Sequence, residues 1–229
     1  YTLSLHDALP IFADTYHHSL AFFYSVPEFE RQVAQHAKRI HQLFGYTPKV
    51  FRNTELSYRN DLAKWCEDHG YLGIMAEGWD KVLGWRSPNF VYNPVGCSKI
   101  KVLLKNYKLS DDLAFRFGNR EWASYPLQAE TYAQWIDAHH GNGNTINLFM
   151  DYETFGEHEW EDTGIFNFMR AFPEILMRRF GRPHRRRATS AMLSRHPWAC
   201  RRRSSRSGQG QRRRFSVLLP LRAHRVLAP

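Results

Sequence analysis

Short apolar runs alternate with amphipathic segments between residues 12 and 177, and this alternation is the strongest constraint on the fold. The segment after Ser25 begins with a capping box and repeats apolar residues at the helical period as far as Gly45. Strands that alternate with helices are typical of βα units, in which the strands form a parallel sheet. The sequence therefore predicts an α/β fold with parallel strands.

The same patterns place further elements along this segment. Strands are predicted at 49–53, 73–76, 90–92, 100–104, 114–117 and 145–150, and helices at 58–69, at 127–138 and from about residue 163. Glu55 and Asp151 come just after two of the predicted strands. In parallel α/β folds, active sites form at the carboxyl ends of the strands, so both residues are candidates for a site.

The positive charge of the chain is concentrated in its last quarter. Residues 178–229 contain sixteen Arg and no Lys, Asp or Glu, whereas residues 1–177 carry 16 basic and 22 acidic residues. A shift of reading frame near Arg178 in a GC-rich gene would give this composition, and it predicts a disordered, non-native tail. The alternative is a genuine basic arm that binds nucleic acid, although such arms usually mix Lys with Arg. We therefore expect no nucleic-acid partner for the native protein.

The ends of the chain set the expected domain organisation. Residues 1–11 resemble the translation of a sequencing adapter and are excluded from the fold as a scar, which leaves a folded domain at 12–177 and the tail at 178–229. The three cysteines have neither a disulfide framework nor a metal-binding spacing, which favours a cytoplasmic protein with reduced thiols. No apolar run of about 18 residues is present, so the sequence predicts no membrane span.

Two carboxylic acids are enough to hydrolyse a glycosidic bond with retention of configuration. One attacks the anomeric carbon, the other protonates the leaving oxygen and then activates water, and the two carboxyl groups lie about 5–6 Å apart. Glu55 and Asp151 could perform these roles. Either residue alone is more commonly a helix cap or a salt-bridge partner, so position alone does not assign the chemistry.

Three sequence blocks contain these residues and their neighbours. They read DTYHHSL at Asp14–Leu20, RNTEL at Arg52–Leu56 and MDYETFGEH at Met150–His158. Through these blocks, residues 12–172 resemble glycoside hydrolase family 57, whose members include α-amylases and 4-α-glucanotransferases. The resemblance implies a retaining glycosidase of α-glucans or maltooligosaccharides, with Glu55 as nucleophile and Asp151 as acid/base. It also implies a (β/α)7 barrel with parallel strands and no catalytic metal or other cofactor.

Further residues are candidates for substrate binding. Of the two adjacent histidines, the resemblance favours His18 as the one that contacts substrate. Trp79 lies in a glycine-flanked loop after a predicted strand, which suits an aromatic platform for a sugar ring and is also compatible with core packing. Glu153 and His158 are expected close to Asp151, where they could orient it. The complete set is His17, His18, Arg52, Trp79, Glu153 and His158.

Two blocks of the family are absent from the chain. The first, a His-containing motif on the first barrel strand, would precede Phe12, and the fifth would lie in a helical region after residue 177. The expected fold is therefore an incomplete (β/α)7 barrel without its first strand and C-terminal helical region. An open barrel exposes unpaired strand edges and holds sugar less accurately, so we expect this fragment to be inactive.

Two other enzyme classes are compatible with the sequence. A 4-α-glucanotransferase would use the same two carboxylates and pass the glucosyl group to a sugar hydroxyl instead of water. A metal-dependent polysaccharide deacetylase would need an Asp and two His ligands at strand ends. His17 and His18 could contribute to such a site, but the sequence offers no convincing third ligand.

Overall fold

The computed structural model describes residues 11–181, which divide into two compact units, one ending at Lys105 and the other beginning at Asn106. The described residues form six α-helices and three β-strands, and the strands make one small parallel sheet. The predicted α/β class with parallel strands is therefore confirmed.

The first unit contains the whole sheet and three helices. Its elements are α1 (Val26–Phe44), β1 (Val50–Arg52), α2 (Asn60–Asp68), β2 (Gly73–Glu77), α3 (Asp80–Leu83) and β3 (Lys101–Lys105). Helix α1 begins as predicted, because the Ser25 hydroxyl oxygen accepts a hydrogen bond from the Glu28 amide at 3.4 Å. It ends at Gly45, whose φ of 62° is the left-handed conformation that glycine adopts without strain.

The strands follow one another across the sheet in the order β1–β2–β3. Phe51 of β1 lies opposite Ile74 of β2, and Ile74 lies opposite Val102 of β3. Ala13 adds a single parallel bridge at the free edge of β1: its amide donates to the Val50 carbonyl at 2.9 Å, and its carbonyl accepts from the Arg52 amide at 2.8 Å. The loop after Ala13 therefore starts at the same edge as the loop after β1.

Helices α1 and α2 cover one face of this sheet through aromatic contacts. The Phe29 ring meets the Phe51 ring edge-on at 5.7 Å and the Trp65 ring at 4.7 Å. Burial of several such side chains is the main favourable contribution to the stability of a unit this small. The fully buried side chains of this core include Phe29, Phe51, Leu62, Cys66, Ile74 and Ile100.

The second unit is helical. Its elements are α4 (Tyr107–Ala114), α5 (Ala129–Ala138) and α6 (Ile165–Gly181). Tyr132 is fully buried at its centre, where the ring packs against Phe168 at 5.7 Å and Phe172 at 5.3 Å. The Tyr132 hydroxyl donates to the Leu109 carbonyl at 2.7 Å, so the one polar atom of this side chain is satisfied inside the core.

Two predicted strands are wrong. The segment 114–117 is the end of α4 and the turn after it, and this helix begins where the Asn106 side chain accepts from the Leu109 amide at 3.2 Å. An Asn cap favours a helix at this point, although the apolar pattern had suggested a strand. At 90–92 the only strand-like pairing is an isolated antiparallel bridge from Tyr92 to Val102.

The predicted strand at 145–150 is also wrong, although its burial was expected. All six residues are buried, yet no strand is assigned there. Its polar contacts include the Asn147 carbonyl, which accepts from the Asn106 amide at 2.9 Å, and the Phe149 amide, which donates to the Ser110 hydroxyl oxygen at 3.1 Å. A strand needs a ladder of paired backbone groups, and burial alone does not supply one.

The flanking segments lie largely outside the described residues. Residues 1–10 of the predicted scar and residues 182–229 of the predicted tail are not described, so both interpretations stay predictions. Helix α6 continues to Gly181, four residues beyond the predicted junction. Between residues 11 and 181, none of the helices has the length and apolarity needed to cross a membrane.

Candidate active site

Two loops meet at the carboxyl edge of the sheet in the first unit. One follows the Ala13 bridge and the other follows β1, and the hydroxyl groups of Thr15 and Thr54 join them at 3.2 Å. Thr15 and Thr54 are both buried, so this contact is shielded from water. Because parallel strands end at one edge of a sheet, residues far apart in sequence are brought together here.

Glu55 lies in a single 3-10 turn, Thr54–Leu56, directly after β1. Its φ is 55° and that of Leu56 is 56°, a left-handed backbone that non-glycine residues rarely adopt. Thr54 and Leu56 are buried, whereas the Glu55 side chain is 63% exposed. The turn thus anchors both neighbours and projects the Glu55 carboxylate outward, and strain of this kind is typical of functional positions.

His18 is the residue that the structure brings to Glu55. Its Nε2 lies 2.8 Å from the Glu55 Oε1, and the imidazole is the donor of this hydrogen bond when the carboxylate is ionised. On its other side, Nδ1 lies 3.7 Å from the Asp14 Oδ2, and that oxygen lies 3.7 Å from the Arg52 Nη1. The four side chains form a continuous row of ionisable groups along the edge of the sheet.

The other two candidates in the first two blocks differ from each other, because Arg52 belongs to this row and His17 lies outside it. His17 is exposed, its ring packs edge-on against Tyr16 at 5.0 Å, and its backbone amide donates to the Gln32 side chain at 3.3 Å. Arg52 is buried and pairs with Asp14. The structure therefore separates the two histidines, and His18 is the one placed against the candidate nucleophile.

Trp79 follows β2 and precedes the short helix α3. Its side chain is 54% exposed, and the Lys81 ammonium lies 5.7 Å from its ring centroid. The preceding residue must be glycine, because a Cβ at Gly78 would lie 2.1 Å from the Lys105 carbonyl oxygen. The exposed ring excludes full core packing and leaves the sugar-platform interpretation open.

Asp151 lies in the second unit, at the start of a wound loop. Its carbonyl accepts from the Thr154 amide at 3.1 Å, and the Glu153 carbonyl accepts from the amides of Glu157 and His158, both at 3.1 Å. Asp151 and Glu153 are partly buried, and His158 is exposed. Because Glu55 belongs to the first unit, the distance between the two carboxyl groups stays a prediction.

Glu159 closes the loop that begins at Asp151, and sequence reasoning missed it. Its amide donates to the Thr154 carbonyl at 2.9 Å, and its carbonyl accepts from the Gly156 amide at 3.0 Å. The buried side chain accepts from the Gly118 amide at 3.1 Å, and burial raises the pKa of its carboxyl group. A glutamate on a buried loop position gives no local signal in the sequence.

Other site neighbours were also missed. Asp14 stands inside the first block but was not singled out, although an acidic residue before two histidines at a strand end is a recognisable signal. Gln32 occupies the apolar face of α1, between Phe29 and Val33, and a polar residue at such a position indicates a buried partner. Among residues 11–181, no group of three or more His, Cys, Asp or Glu side chains is arranged to hold a metal ion.

Comparison with known proteins agrees with the three sequence blocks. The family model described as glycosyl hydrolase family 57 matches residues 3–183, and so includes nine residues of the segment 1–11 and six residues of the segment 178–229. A Methanocaldococcus jannaschii protein named "Putative alpha-amylase" is 50% identical over 165 residues, which are 71% of this chain and 34% of that protein. The chain thus spans about a third of the length of this relative. The chain belongs to glycosyl hydrolase family 57.

Proposed function

We propose that residues 12–177 are part of the catalytic domain of a retaining glycosidase that acts on α-glucans. Glu55 is its nucleophile and Asp151 its acid/base. The observation that carries this proposal is the hydrogen bond between His18 Nε2 and Glu55 Oε1 at the carboxyl edge of a parallel sheet. Together with family membership, this contact supports a catalytic role for the exposed Glu55 carboxylate.

The nucleophile of a retaining glycosidase must be ionised and aimed at the anomeric carbon. A donor on one oxygen favours the ionised form and limits rotation of the carboxylate. His18 supplies that donor, and the left-handed turn at Glu55 fixes the direction of the side chain. The Asp14 carboxylate at 3.7 Å from the other imidazole nitrogen favours retention of the imidazole in this orientation.

The acid/base residue has two duties in sequence. It first protonates the leaving sugar oxygen, so that the covalent glycosyl-enzyme forms, and then takes a proton from water, which attacks the anomeric carbon. Asp151 is proposed for this role from its place in the third block and from the tightly wound loop that holds it. Glu153 and His158 belong to the same loop and are proposed to orient Asp151 or contact the sugar.

The substrate proposed is an α-glucan or a maltooligosaccharide. The exposed Trp79 ring offers a flat apolar face, and the relative's name refers to an amylase. A depression of about 500 Å³ directly after the Glu55 turn is lined by Tyr58, Arg59, Asn60 and Asp61. It is an open surface depression, and the side chains that line it offer hydroxyl, guanidinium, amide and carboxyl groups to sugar hydroxyl groups.

The proposed architecture is an incomplete (β/α)7 barrel. Each of β1 and β2 is followed by a helix before the next strand, and both pairings are parallel with neighbouring strands adjacent in sequence. This arrangement is the repeating unit of such barrels.

A chimera tests the function, because the chain spans about a third of its relative. The segment of this chain that aligns with the M. jannaschii protein replaces its counterpart there, and maltoheptaose is the substrate. We expect shorter glucans from hydrolysis, and longer ones if a 4-α-glucanotransferase reaction dominates. Glu55→Gln and Asp151→Asn should each lower turnover at least a thousandfold, whereas the exposed controls Glu121→Gln and Asp162→Asn should not.

Azide separates the two catalytic roles. With an activated aryl glycoside, azide should rescue Glu55→Ala as a glycosyl azide of inverted configuration, because it replaces the nucleophile. It should rescue Asp151→Ala with retained configuration, because it then attacks the glycosyl-enzyme. Full turnover of the Glu55→Gln chimera would remove Glu55 from the mechanism.

A further inference from the structure

Gln32 connects helix α1 to the loop that carries His18. It is only 4% exposed and stands on the helix face that packs into the core. Its Oε1 accepts from the His17 amide at 3.3 Å and from the Ser19 hydroxyl at 2.8 Å. One side-chain oxygen therefore holds the residues on both sides of His18.

The His18 backbone requires such support. Its φ of 50° is left-handed, and a histidine stays in that conformation only where its surroundings hold it. The Thr15 hydroxyl gives a second anchor, since it accepts from the Ser19 amide at 2.9 Å. With Gln32 on one side and Thr15 on the other, the turn has a fixed shape.

The Gln32 amide is itself oriented. Its Nε2 donates to the Glu28 Oε1 at 2.8 Å, and Glu28 accepts two hydrogen bonds from the Arg31 guanidinium, both at 2.7 Å. A carboxylate held by arginine can only accept, so it selects the nitrogen end of the amide. The oxygen end must then face the loop.

We propose that Gln32 is a positioning residue for Glu55, and that it acts by holding the His17–Ser19 turn so that His18 Nε2 meets Glu55 Oε1. The inference rests on the proposed role of Glu55 as nucleophile. Gln32 touches neither Glu55 nor substrate in this scheme. It fixes the backbone on which the hydrogen-bond donor stands.

The test uses the full 229-residue chain labelled with ¹⁵N-histidine. The ring nitrogen signals of His18 are assigned by their loss in His18→Asn. Glu55→Gln should move the His18 Nε2 signal, because it replaces the charged acceptor. In Gln32→Met, which keeps the size and removes the amide, the same Glu55→Gln change should move that signal by less than half as much.

Gln35→Met is the matched control. Gln35 is on the same helix and accepts from the Arg31 Nη1 at 3.0 Å, so it contacts the same arginine network. Gln35→Met should leave the response of His18 to Glu55→Gln unchanged. In the double variant Glu28→Gln with Gln32→Glu, position 32 still presents an acceptor to the His17–Ser19 turn, and position 28 supplies the amide donor. This variant should restore the response of the His18 signal to Glu55→Gln.

A full response of His18 to Glu55→Gln in folded Gln32→Met would overturn the proposal. Unfolding of Gln32→Met would be seen as collapse of all histidine signals, and the swapped variant then decides. The proposal requires the swapped variant to be folded and its His18 signal to respond to Glu55→Gln. A folded swapped variant whose His18 signal does not respond would equally refute the positioning role of Gln32. In the chimera, Gln32→Met should lower kcat about tenfold or more with KM nearly unchanged. A Glu55→Gln chimera that remained active would refute the proposed function. The response of the His18 signal would still show whether Gln32 positions His18, so the two failures are distinguishable.

Discussion

The imidazole Nε2 of His18 lies 2.8 Å from the carboxylate Oε1 of Glu55, although 37 positions separate the two residues in the chain. Each stands on a left-handed backbone at the carboxyl edge of the sheet, one after the Ala13 bridge and one after β1. The sheet brings the two loops together, and the two unusual backbone conformations turn the side chains towards each other.

The 229-residue chain, expressed as written, is predicted not to hydrolyse starch or maltooligosaccharides at a useful rate. It spans 34% of its M. jannaschii relative, and a sugar displaced by about 1 Å can react a hundredfold more slowly. A reducing-sugar assay compares this chain with the chimera. Robust turnover by the chain alone would show that the segment is sufficient.

Glu28 is predicted to make stability depend on pH in acid. The neighbouring Arg31 and then Gln32 lower the pKa of Glu28 from its usual value near 4.5 to about 2. A lowered pKa in the folded state stabilises the protein above pH 4.5, and the contribution is lost as pH falls towards 2. Urea unfolding of wild type and Glu28→Gln should therefore differ most near neutral pH and converge below pH 3. Glu121→Gln serves as control, and a difference that grew in acid would contradict the assignment.

Gly78→Ala is predicted to destabilise the first unit by about 2–3 kcal/mol or more. The added Cβ would lie 2.1 Å from the Lys105 carbonyl oxygen and 2.9 Å from the Pro88 Cβ, and the carbonyl is main chain that cannot rotate away. Gly73→Ala is the matched control, because its Cβ would find no atom closer than 3.6 Å and should change stability by less than about 1 kcal/mol. Urea unfolding monitored by tryptophan fluorescence measures both. Equal stability of the two variants would mean that the loop before Trp79 can move aside.

Glu159→Gln is predicted to raise the melting temperature at pH 8 and to have little effect at pH 4. Burial raises the pKa of Glu159 in the folded state. The stability that the protonated carboxyl group contributes is therefore fully present below its unfolded-state pKa, and it is lost as pH rises through its folded-state pKa. Glutamine keeps an acceptor for the Gly118 amide and carries no charge at any pH. Thermal melts at both pH values give the comparison, with the exposed Glu157→Gln as control. A lower melting temperature at pH 8 would show that the ionised carboxylate is favourable.

Local signals allowed part of the fold to be predicted. Helix α1 was placed within its observed limits because the Ser25 cap and the Gly45 stop act on adjacent backbone groups. The strand at 145–150 was wrong because a strand depends on a partner that local sequence does not specify. The helix at Tyr107–Ala114 was missed, although Asn106 is a residue type that favours the N-terminal cap of a helix.

The candidate site divides in the same way. Glu55 and His18 could be named from their blocks, but their contact depends on two loops that only the sheet brings together. The place of Gln32 on the apolar face of α1 indicates a buried partner, but no local pattern identifies the partners, which lie 13 and 15 positions earlier in the chain. The roles of Glu55 and Asp151 in catalysis remain predictions that the chimera tests.

The left-handed turn at Glu55 has a consequence for how this segment responds to selection. Glycine adopts such a backbone without strain and asparagine tolerates it, so either would relieve the turn that glutamate occupies. A library screened only for resistance to heat should therefore enrich Gly or Asn at position 55, and a library screened for growth on glucan, in the chimera, should restore Glu. Opposite preferences at position 55 would show that catalysis maintains a glutamate there at a cost in conformational stability.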